Sequence, residues 1–284
     1  MANVERDPIS GQMTTGHEWD GIKELNTPLP RWWVYIFWAT IVWSVGYWIV
    51  YPAWPTLSGH TKGLWNYSSR AELAAEMKMV AADRQAWLAK IKDLSAAEIE
   101  KNPDLLRYAM AGGKSAFGEN CQPCHGAGGA GAPGYPALGD DEWIWGGSLA
   151  AIEQTIAHGV RAEDSQTRIS EMPKFSDSLK APEIDALADY LVALASRKAA
   201  ETMPGAKLFA ENCVACHGEK GEGNRDLGAP RLDNALWLYS GDKAQIVAQI
   251  ATPKHGVMPA WSGRLDAATI KQLAIYVHKL GGGE

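Results

Sequence analysis

Residues 117–126 read FGENCQPCHG and residues 209–218 read FAENCVACHG, so the chain contains an internal repeat. Other matches follow in the same order: EWIWGGS at 142–148 with LWLYSGD at 236–242, and HGV at 158–160 with HGV at 255–257. Each copy closes with a segment of helical periodicity, residues 181–195 and 266–280. The repeat predicts two similar helical units in tandem, at 110–197 and 198–284.

All four cysteines of the chain lie in the repeated motif, as Cys121-x-x-Cys124-His125 and Cys213-x-x-Cys216-His217. This spacing is that of c-type haem attachment. One helical turn holds both sulfurs where they can form thioethers with the haem vinyl groups, and the adjacent histidine points at the iron. The motif therefore predicts two covalently bound c-type haems, with His125 and His217 as iron ligands.

Three other uses of paired cysteines fit the surroundings less well. A redox-active pair normally lies in a βαβ context, which the sequence does not predict. A zinc site would leave both adjacent histidines unexplained, and structural disulfides would leave the histidines and the glycines that follow them unexplained.

Two methionines are candidates for the sixth iron ligand. Met172-Pro173 and Met258-Pro259 lie 47 and 41 residues beyond the histidine of the preceding motif, each shortly before a closing helix. A thioether opposite histidine raises the reduction potential and leaves no open site, which suits electron transfer. Met203-Pro204 precedes the second motif and is interpreted as linker. A core-filling role for either methionine is the alternative.

The pairing of ligands stays open at this level. The linker at 196–205 is short, so each methionine could serve the haem of the other repeat. Ligation within a repeat is the simpler arrangement, and we expect it. His158 and His255 offer bis-histidine ligation instead, but we expect both to bond within their loops.

Residues 32–54 read WWVYIFWATIVWSVGYWIVYPAW and contain no charged side chain. At about 1.5 Å per residue, a helix of this length crosses the roughly 30 Å apolar core of a bilayer. The run is too long for a signal peptide, and no small-residue cleavage site follows it. We expect one transmembrane helix at 31–55. Arg31 abuts its N-terminal end, which predicts a cytoplasmic N-terminus and haem domains in the periplasm.

The segments on either side of the span carry little chemistry. Residues 1–30 are polar and are interpreted as a cytoplasmic tail that forms no domain. Residues 56–109 contain two segments of helical composition, Ser69 to Lys92 and Ser95 to Met110, and predict a helical connector that separates the repeats from the membrane. The predicted fold class is mainly α, with one transmembrane helix, the connector and two tandem class I cytochrome c domains.

The formal net charge is -6 at pH 7. Nucleic acid is excluded as a partner, because phosphate binding needs an excess of Lys and Arg. Residues 110–197 hold 6 Lys/Arg against 12 Asp/Glu, whereas residues 198–284 hold 10 against 9. One hypothesis is that Asp140, Asp141 and Glu142 dock a basic donor cytochrome. A solvated acidic face is the alternative.

The stretch GHEWDGIKELNTPLPRWWVYIFWATIVW at 16–43, the single anchor and the two CxxCH repeats resemble the dihaem subunit of cbb3-type cytochrome c oxidases. The resemblance covers nearly the whole chain, and the stretch before the span is its specific part. It implies that the family's thioether cysteines, proximal histidines and distal methionines are the residues already named: Cys121, Cys124, His125, Met172, Cys213, Cys216, His217 and Met258.

The resemblance implies a relay of electrons in aerobic respiration, from a donor cytochrome c through a monohaem partner subunit to an oxygen-reducing haem-copper subunit. The chain alone is not expected to be an enzyme, because a haem-copper site needs many histidines and the span has none. The expected location is the bacterial inner membrane. A membrane-anchored dihaem acceptor of a periplasmic dehydrogenase is one alternative, and a dihaem peroxidase with an open iron site is another.

Overall fold

The computed structural model describes residues 3–281. Contacts between residues divide the chain into two compact units, Met1–Ala81 and Ala82–Glu284. Helices make up most of the regular structure in the described residues, so the prediction of a mainly α fold is confirmed.

An antiparallel hairpin precedes the apolar helix. Strand β1 (Thr14–Trp19) pairs with strand β2 (Ile22–Leu25). Asp20 and Gly21 form the turn, with φ of 49° and 84°. Positive φ at both positions is typical of the tight hairpin turn for which Asp-Gly is favoured. The segment predicted as a polar tail therefore contains a hairpin, and the Asp-Gly pair is the sequence signal for it.

The apolar segment forms helix α1 (Arg31–Val50), which is 20 residues long with a mean hydropathy of 1.5. No residue of α1 is buried among the described parts of the chain. Its length and composition suffice to cross a bilayer. The helix ends before the predicted limit at residue 55, because Tyr51 is extended (φ -104°, ψ 161°), as the residue before a proline prefers to be.

The connector is helical but is interrupted near its end. A short hairpin of β3 (Pro55–Thr56) and β4 (Gly59–His60) is followed by α2 (Ser69–Asp93) and α3 (Ala96–Glu100). Asn102 then caps a new helix whose first residue is Pro103. An asparagine cap followed by proline is a strong helix start. The helix predicted from Ser95 to Met110 is therefore divided in two.

The remaining helices form two equivalent sets, one in each repeat. Each set has a helix before the CxxCH motif, a single turn that carries the motif, a helix after the loop and a closing helix. The first set is α4 (Pro103–Asn120), α5 (Gln122–His125), α6 (Leu149–His158) and α7 (Ala181–Ala195); the second is α8 (Pro204–Asn212), α9 (Val214–His217), α10 (Lys243–Ala251) and α11 (Ala267–His278). Both closing helices lie where the periodicity predicts them.

Helix α4 of the first repeat packs along α11, the closing helix of the second repeat. The two helices cross at Gly113, where an added Cβ would lie 2.3 Å from the Gln272 carbonyl oxygen and 2.6 Å from the Cβ of Tyr276. Phe117, which is 2% exposed, lies beneath this crossing with Leu273 and other apolar residues of α6 and α11. The first motif is thus packed against the end of the chain.

Helix α8 of the second repeat packs against α7, the closing helix of the first, and α10 covers the same helix. The crossing again has a glycine, since an added Cβ on Gly205 would lie 2.2 Å from the Ala186 carbonyl oxygen. Phe209 is 2% exposed and is buried with Leu187 and Ala188 of α7. The closing helices have therefore exchanged partners.

Because of this exchange, one set of packed helices lies within the other in the sequence. The set α7, α8, α9 and α10 is continuous in sequence, and its closing helix precedes its motif. The set α4, α5, α6 and α11 is interrupted by it. The limits 110–197 and 198–284 describe the sequence repeats, whereas the helices pack across those limits.

The short connection after α7 explains this exchange. Arg197 has a φ of 55°, and the Lys198 N–H donates to the Ala193 carbonyl at 2.7 Å, which turns the chain back at the helix end. Helix α8 begins shortly afterwards, at Pro204. Helices joined by a short connection pack as neighbours. Helix α7 therefore reaches α8 directly and leaves α4 to the other closing helix.

The end of the connector is attached to α11. The Lys271 ammonium donates to the carbonyls of Ile91, Lys92 and Leu94, at 3.1, 2.9 and 2.5 Å. Ile91 and Lys92 lie in the last turn of α2, and Leu94 follows its end. A cation at this position is favourable, because the C-terminal end of a helix carries partial negative charge. The end of the connector, from Ala82 onward, is thus part of the second unit.

The nested order predicts the result of cutting the linker. A site-specific protease sequence inserted between Lys198 and Thr202 should be cleaved without separating the two pieces, because each crossed helix pair joins one piece to the other. Size-exclusion chromatography in detergent, followed by haem absorbance, measures this. The uncleaved insertion variant is the control, and denaturing electrophoresis shows that cleavage has occurred. Release of a small haem-containing fragment would mean that the repeats pack independently.

Candidate functional site

Each CxxCH motif lies on one helical turn at the end of a longer helix. The first cysteine of each motif ends that helix, and the second cysteine and the histidine follow on the turn. The first cysteines are Cys121 and Cys213, whose N–H groups donate to the carbonyls of Phe117 and Phe209 at 2.9 and 2.8 Å. The buried phenylalanine therefore fixes the start of the motif in both repeats.

The four cysteines lie in the described part of the chain, and no disulfide joins any of them. Cys124 and Cys216 are exposed. Burial raises the pKa of Cys121 and of Cys213 to about 11. The structure therefore does not place these cysteines in disulfides.

The two histidines have the same hydrogen bond. His125 Nδ1 donates to the Pro136 carbonyl at 3.0 Å, and His217 Nδ1 donates to the Pro230 carbonyl at 2.9 Å. Burial lowers the pKa of both histidines, although the carbonyl bonds act in the opposite direction. A neutral imidazole with Nδ1–H engaged presents the Nε2 lone pair to a metal. This arrangement fits an iron ligand.

A zinc site does not fit the donor set. Within residues 3–281, no group of three or more His, Cys, Asp or Glu side chains is placed to hold a metal ion. Haem iron needs only one such side chain, because the porphyrin supplies four nitrogens. The residues present therefore fit a haem c and do not fit a structural zinc ion.

An apolar wall with a methionine and a tryptophan accompanies each motif. Met258 and Trp143 pack against the buried cluster that contains Phe117 and contacts Cys121. The second wall has the same composition, with Met172, Trp237 and Cys213 around the cluster of Phe209. Each wall consists of apolar side chains of the kind that cover one face of a porphyrin.

The packing is opposite to our expectation for the methionines. We expected each one to serve the haem of its own repeat, but Met258 lies with the first motif and Met172 with the second. The physical reason is that a closing helix begins nine residues after each methionine, at Ala181 and at Ala267. Because the closing helices exchange partners, the methionines exchange with them.

Backbone contacts hold Met258 beside the first repeat. Its N–H and carbonyl exchange two hydrogen bonds with Val160, both at 3.0 Å. Gly159 makes this approach possible, since an added Cβ would lie 2.3 Å from the Met258 carbonyl oxygen, and the φ of Gly159 is 70°. The end of α6 therefore positions the methionine of the other repeat.

The other candidate iron ligands are His158, His255 and Met203, and none of them is in the two apolar walls. His158 Nδ1 bonds to Asp164 at 3.0 Å, so the expected bond within its loop is confirmed. His255 is exposed, and Met203 immediately precedes α8. These positions do not favour bis-histidine ligation, and they agree with the interpretation of Met203 as linker.

The loops that follow the two motifs meet at a cavity of about 330 Å³. Its lining includes the two prolines that accept from the histidines and the two tryptophans of the apolar walls: Pro136, Pro230, Trp143 and Trp237. Across the same region Glu142 accepts from Asn234 at 2.8 Å and lies 3.6 Å from Arg231. The two candidate sites therefore adjoin each other within one folded unit.

These contacts alter the docking hypothesis for the acidic cluster. Glu142 is engaged with the second repeat, so its carboxylate serves a contact within the chain. Asp141 is exposed, and Asp140 accepts from the Glu142 N–H at 3.1 Å. The three acidic side chains thus do not form one free surface.

Comparison with known families accounts for most of the chain. The model of the N-terminal domain of cytochrome oxidase-cbb3, FixP, matches residues 11–58. The model of cytochrome c oxidase, cbb3-type, subunit III matches residues 109–191 and again residues 200–277. The chain belongs to the cbb3-type cytochrome c oxidase subunit family.

Relatives in this family match over nearly their full length. The chain is 53% identical to the cbb3-type cytochrome c oxidase subunit FixP of Bradyrhizobium sp. (strain ORS 278), covering 99% of this chain and 98% of the relative. It is 51% identical to the FixP subunit of Rhizobium meliloti (strain 1021), covering 98% and 97%. It is 50% identical to the CcoP subunit of Azospirillum brasilense, with complete coverage of both.

The family models place one cytochrome c domain in each repeat, which confirms the tandem arrangement predicted from the sequence. Sequence reasoning missed the two carbonyl acceptors of the histidines. A Pro-x-Leu triplet follows each motif, at Pro136 and at Pro230. This repeated triplet was the available signal for both acceptors.

Loss of the Glu142 charge should weaken the contact between the repeats. For Glu142→Gln we expect a decrease of about 0.5–1 kcal/mol in the free energy of unfolding, because a partly buried carboxylate loses an ion pair and a charged hydrogen bond. Urea denaturation at low salt measures it, and the decrease should shrink at high salt. Asp141→Asn is the matched control, since Asp141 is exposed. Equal effects of both variants would refute the assigned role of Glu142.

Proposed function

We propose that this chain binds two haems c and serves as the electron-transfer subunit of a cbb3-type oxidase. The observation that carries the proposal is the pair of equivalent sites. Each site has two cysteines and a histidine at one helical turn, and a methionine that packs against the same buried apolar cluster as the first cysteine. Sites of this composition hold a haem permanently and leave the iron without an open position.

The side chains of each site have separate roles. Cys121, Cys124, Cys213 and Cys216 would form the thioethers to the haems. His125 and His217 would bind iron through Nε2, and their Nδ1–H bonds to proline carbonyls fix the plane of each ring. When bound, haem c supplies one-electron exchange between ferric and ferrous iron. The apolar walls exclude water, which favours the less charged ferrous state.

The sixth ligands follow from the crossed packing. We assign Met258 to the iron held by His125, and Met172 to the iron held by His217. Met258 packs against the cluster that Cys121 contacts, and Met172 packs against the cluster that Cys213 contacts. Two backbone hydrogen bonds to Val160 hold Met258 at the first repeat. A thioether at this position raises the reduction potential and blocks oxygen or peroxide, which argues against the peroxidase alternative.

Other subunits of the oxidase would supply oxygen reduction. Helix α1 contains no histidine, so it offers no ligand to a haem-copper centre. The chain would therefore be non-catalytic on its own. It would take electrons from a donor cytochrome c and pass them through a monohaem subunit to the haem-copper subunit. The relatives compared above are oxidase subunits, so the dehydrogenase alternative has no support.

The membrane arrangement follows from α1. The helix would anchor the chain in the bacterial inner membrane with a single pass. Arg31 at its N-terminal end favours a cytoplasmic N-terminus, and covalent haem attachment after export favours the periplasm for both repeats. Electrons would thus enter and leave the chain on the periplasmic side.

Single-haem variants test the ligand assignment. In Cys213→Ala/Cys216→Ala only the first haem is attached, and its ferric form should show the far-red sulfur-to-iron charge-transfer band. Adding Met258→Ala should abolish that band, because the thioether is lost. Adding Met172→Ala should leave it in place.

The reciprocal variant, Cys121→Ala/Cys124→Ala, should show the opposite dependence, and helical circular dichroism checks that each variant folds. Dependence of the first haem on Met172 would show ligation within a repeat. A band that neither substitution affects would refute His/Met ligation altogether.

A further inference from the structure

Arg161 contacts both the loop that carries Met172 and the loop that carries Met258, which are called the methionine loops below. It follows Val160, whose backbone pairs with Met258, and its own N–H donates to the Arg168 carbonyl at 2.9 Å. Its φ is 51°, a left-handed conformation. Residues other than glycine adopt this region only at an energetic cost. Contacts elsewhere must offset that cost.

The guanidinium makes those contacts to both loops. Its Nε donates to the Gly256 carbonyl at 2.7 Å, and its Nη1 donates to the Ser170 carbonyl at 2.8 Å. Gly256 lies two residues before Met258, and Ser170 lies two residues before Met172. One side chain therefore bonds to equivalent positions of the two loops.

The chemistry of arginine suits this role. The planar guanidinium has several N–H donors in a fixed geometry, so it can hold two carbonyls in different directions at once. Burial lowers the pKa of Arg161, with Tyr239 and Glu171 acting in the opposite direction. The group nevertheless stays charged at neutral pH, because arginine does not lose its proton in proteins. Both hydrogen bonds are therefore charge-assisted.

We propose that Arg161 is a positioning residue that holds both methionine loops, so that one side chain controls the sixth ligand of both haems. The inference rests on the proposed function, since it takes Met172 and Met258 as iron ligands. Through Arg161, a displacement of one methionine loop would also displace the other loop. The link needs no haem-to-haem contact, because it runs through backbone carbonyls of the chain.

Competition with imidazole measures how firmly each methionine is held. Imidazole binds ferric haem only when the methionine leaves. For Arg161→Gln we expect roughly tenfold tighter apparent binding of imidazole at both haems, because each loop loses one charge-assisted hydrogen bond. Loss of the far-red band in the two single-haem backgrounds reports each haem separately. Arg161→Lys should give a smaller change in the same direction, since lysine lacks the planar fork.

Arg107→Gln is the matched control, because Arg107 lies on α4 with 80% of its side chain exposed. It should leave imidazole binding unchanged. A change at only one haem, or at neither, would overturn the proposal for Arg161. If Arg161→Gln does not retain its haem and helical signal, Arg161→Lys decides by the same criterion. Absence of the band in the unsubstituted protein would instead refute the proposed His/Met sites.

Discussion

The structure of the two candidate sites depends on one kind of contact, the close crossing of the helix before a motif with a closing helix. A glycine at each crossing, Gly113 or Gly205, lets the backbones approach. The aromatic pairs beside them are Phe117 with Tyr276 and Phe209 with Tyr190, with ring centroids 5.4 and 5.3 Å apart. The same phenylalanines hold the first cysteine of each motif, so helix packing fixes the position of each proposed haem-attachment site.

Local sequence patterns predicted the individual helices and motifs. Charge-free residues predicted the span, helical periodicity predicted both closing helices, and the CxxCH spacing predicted the attachment sites. The pairing of closing helices could not be predicted in this way, because α7 and α11 have similar apolar faces and either could cover either motif. Only the short link from Ala195 to Pro204 distinguishes the two arrangements. The short link places α7 beside α8, which leaves α11 to pack against α4. This pairing is seen only in the three-dimensional structure.

The crossed packing makes the two repeats depend on each other. The first candidate site takes its motif from one repeat and its methionine from the other, and so does the second. Three contacts connect residues of both repeats: the backbone hydrogen bonds between Val160 and Met258, the Glu142–Arg231 contact and the hydrogen bonds of Arg161. A subunit that relays electrons between adjoining haems benefits from such a framework, since it keeps both sites at a constant separation.

A density map of the purified oxidase assembly, at a resolution that shows side chains, tests the crossed sites most directly. The map should show the sulfur of Met258 on the iron opposite His125 and the sulfur of Met172 on the iron opposite His217. It should also show α11 packed against α4. A map in which Met172 faces His125 and α7 covers α4 would contradict the exchange on which the rest of the interpretation depends.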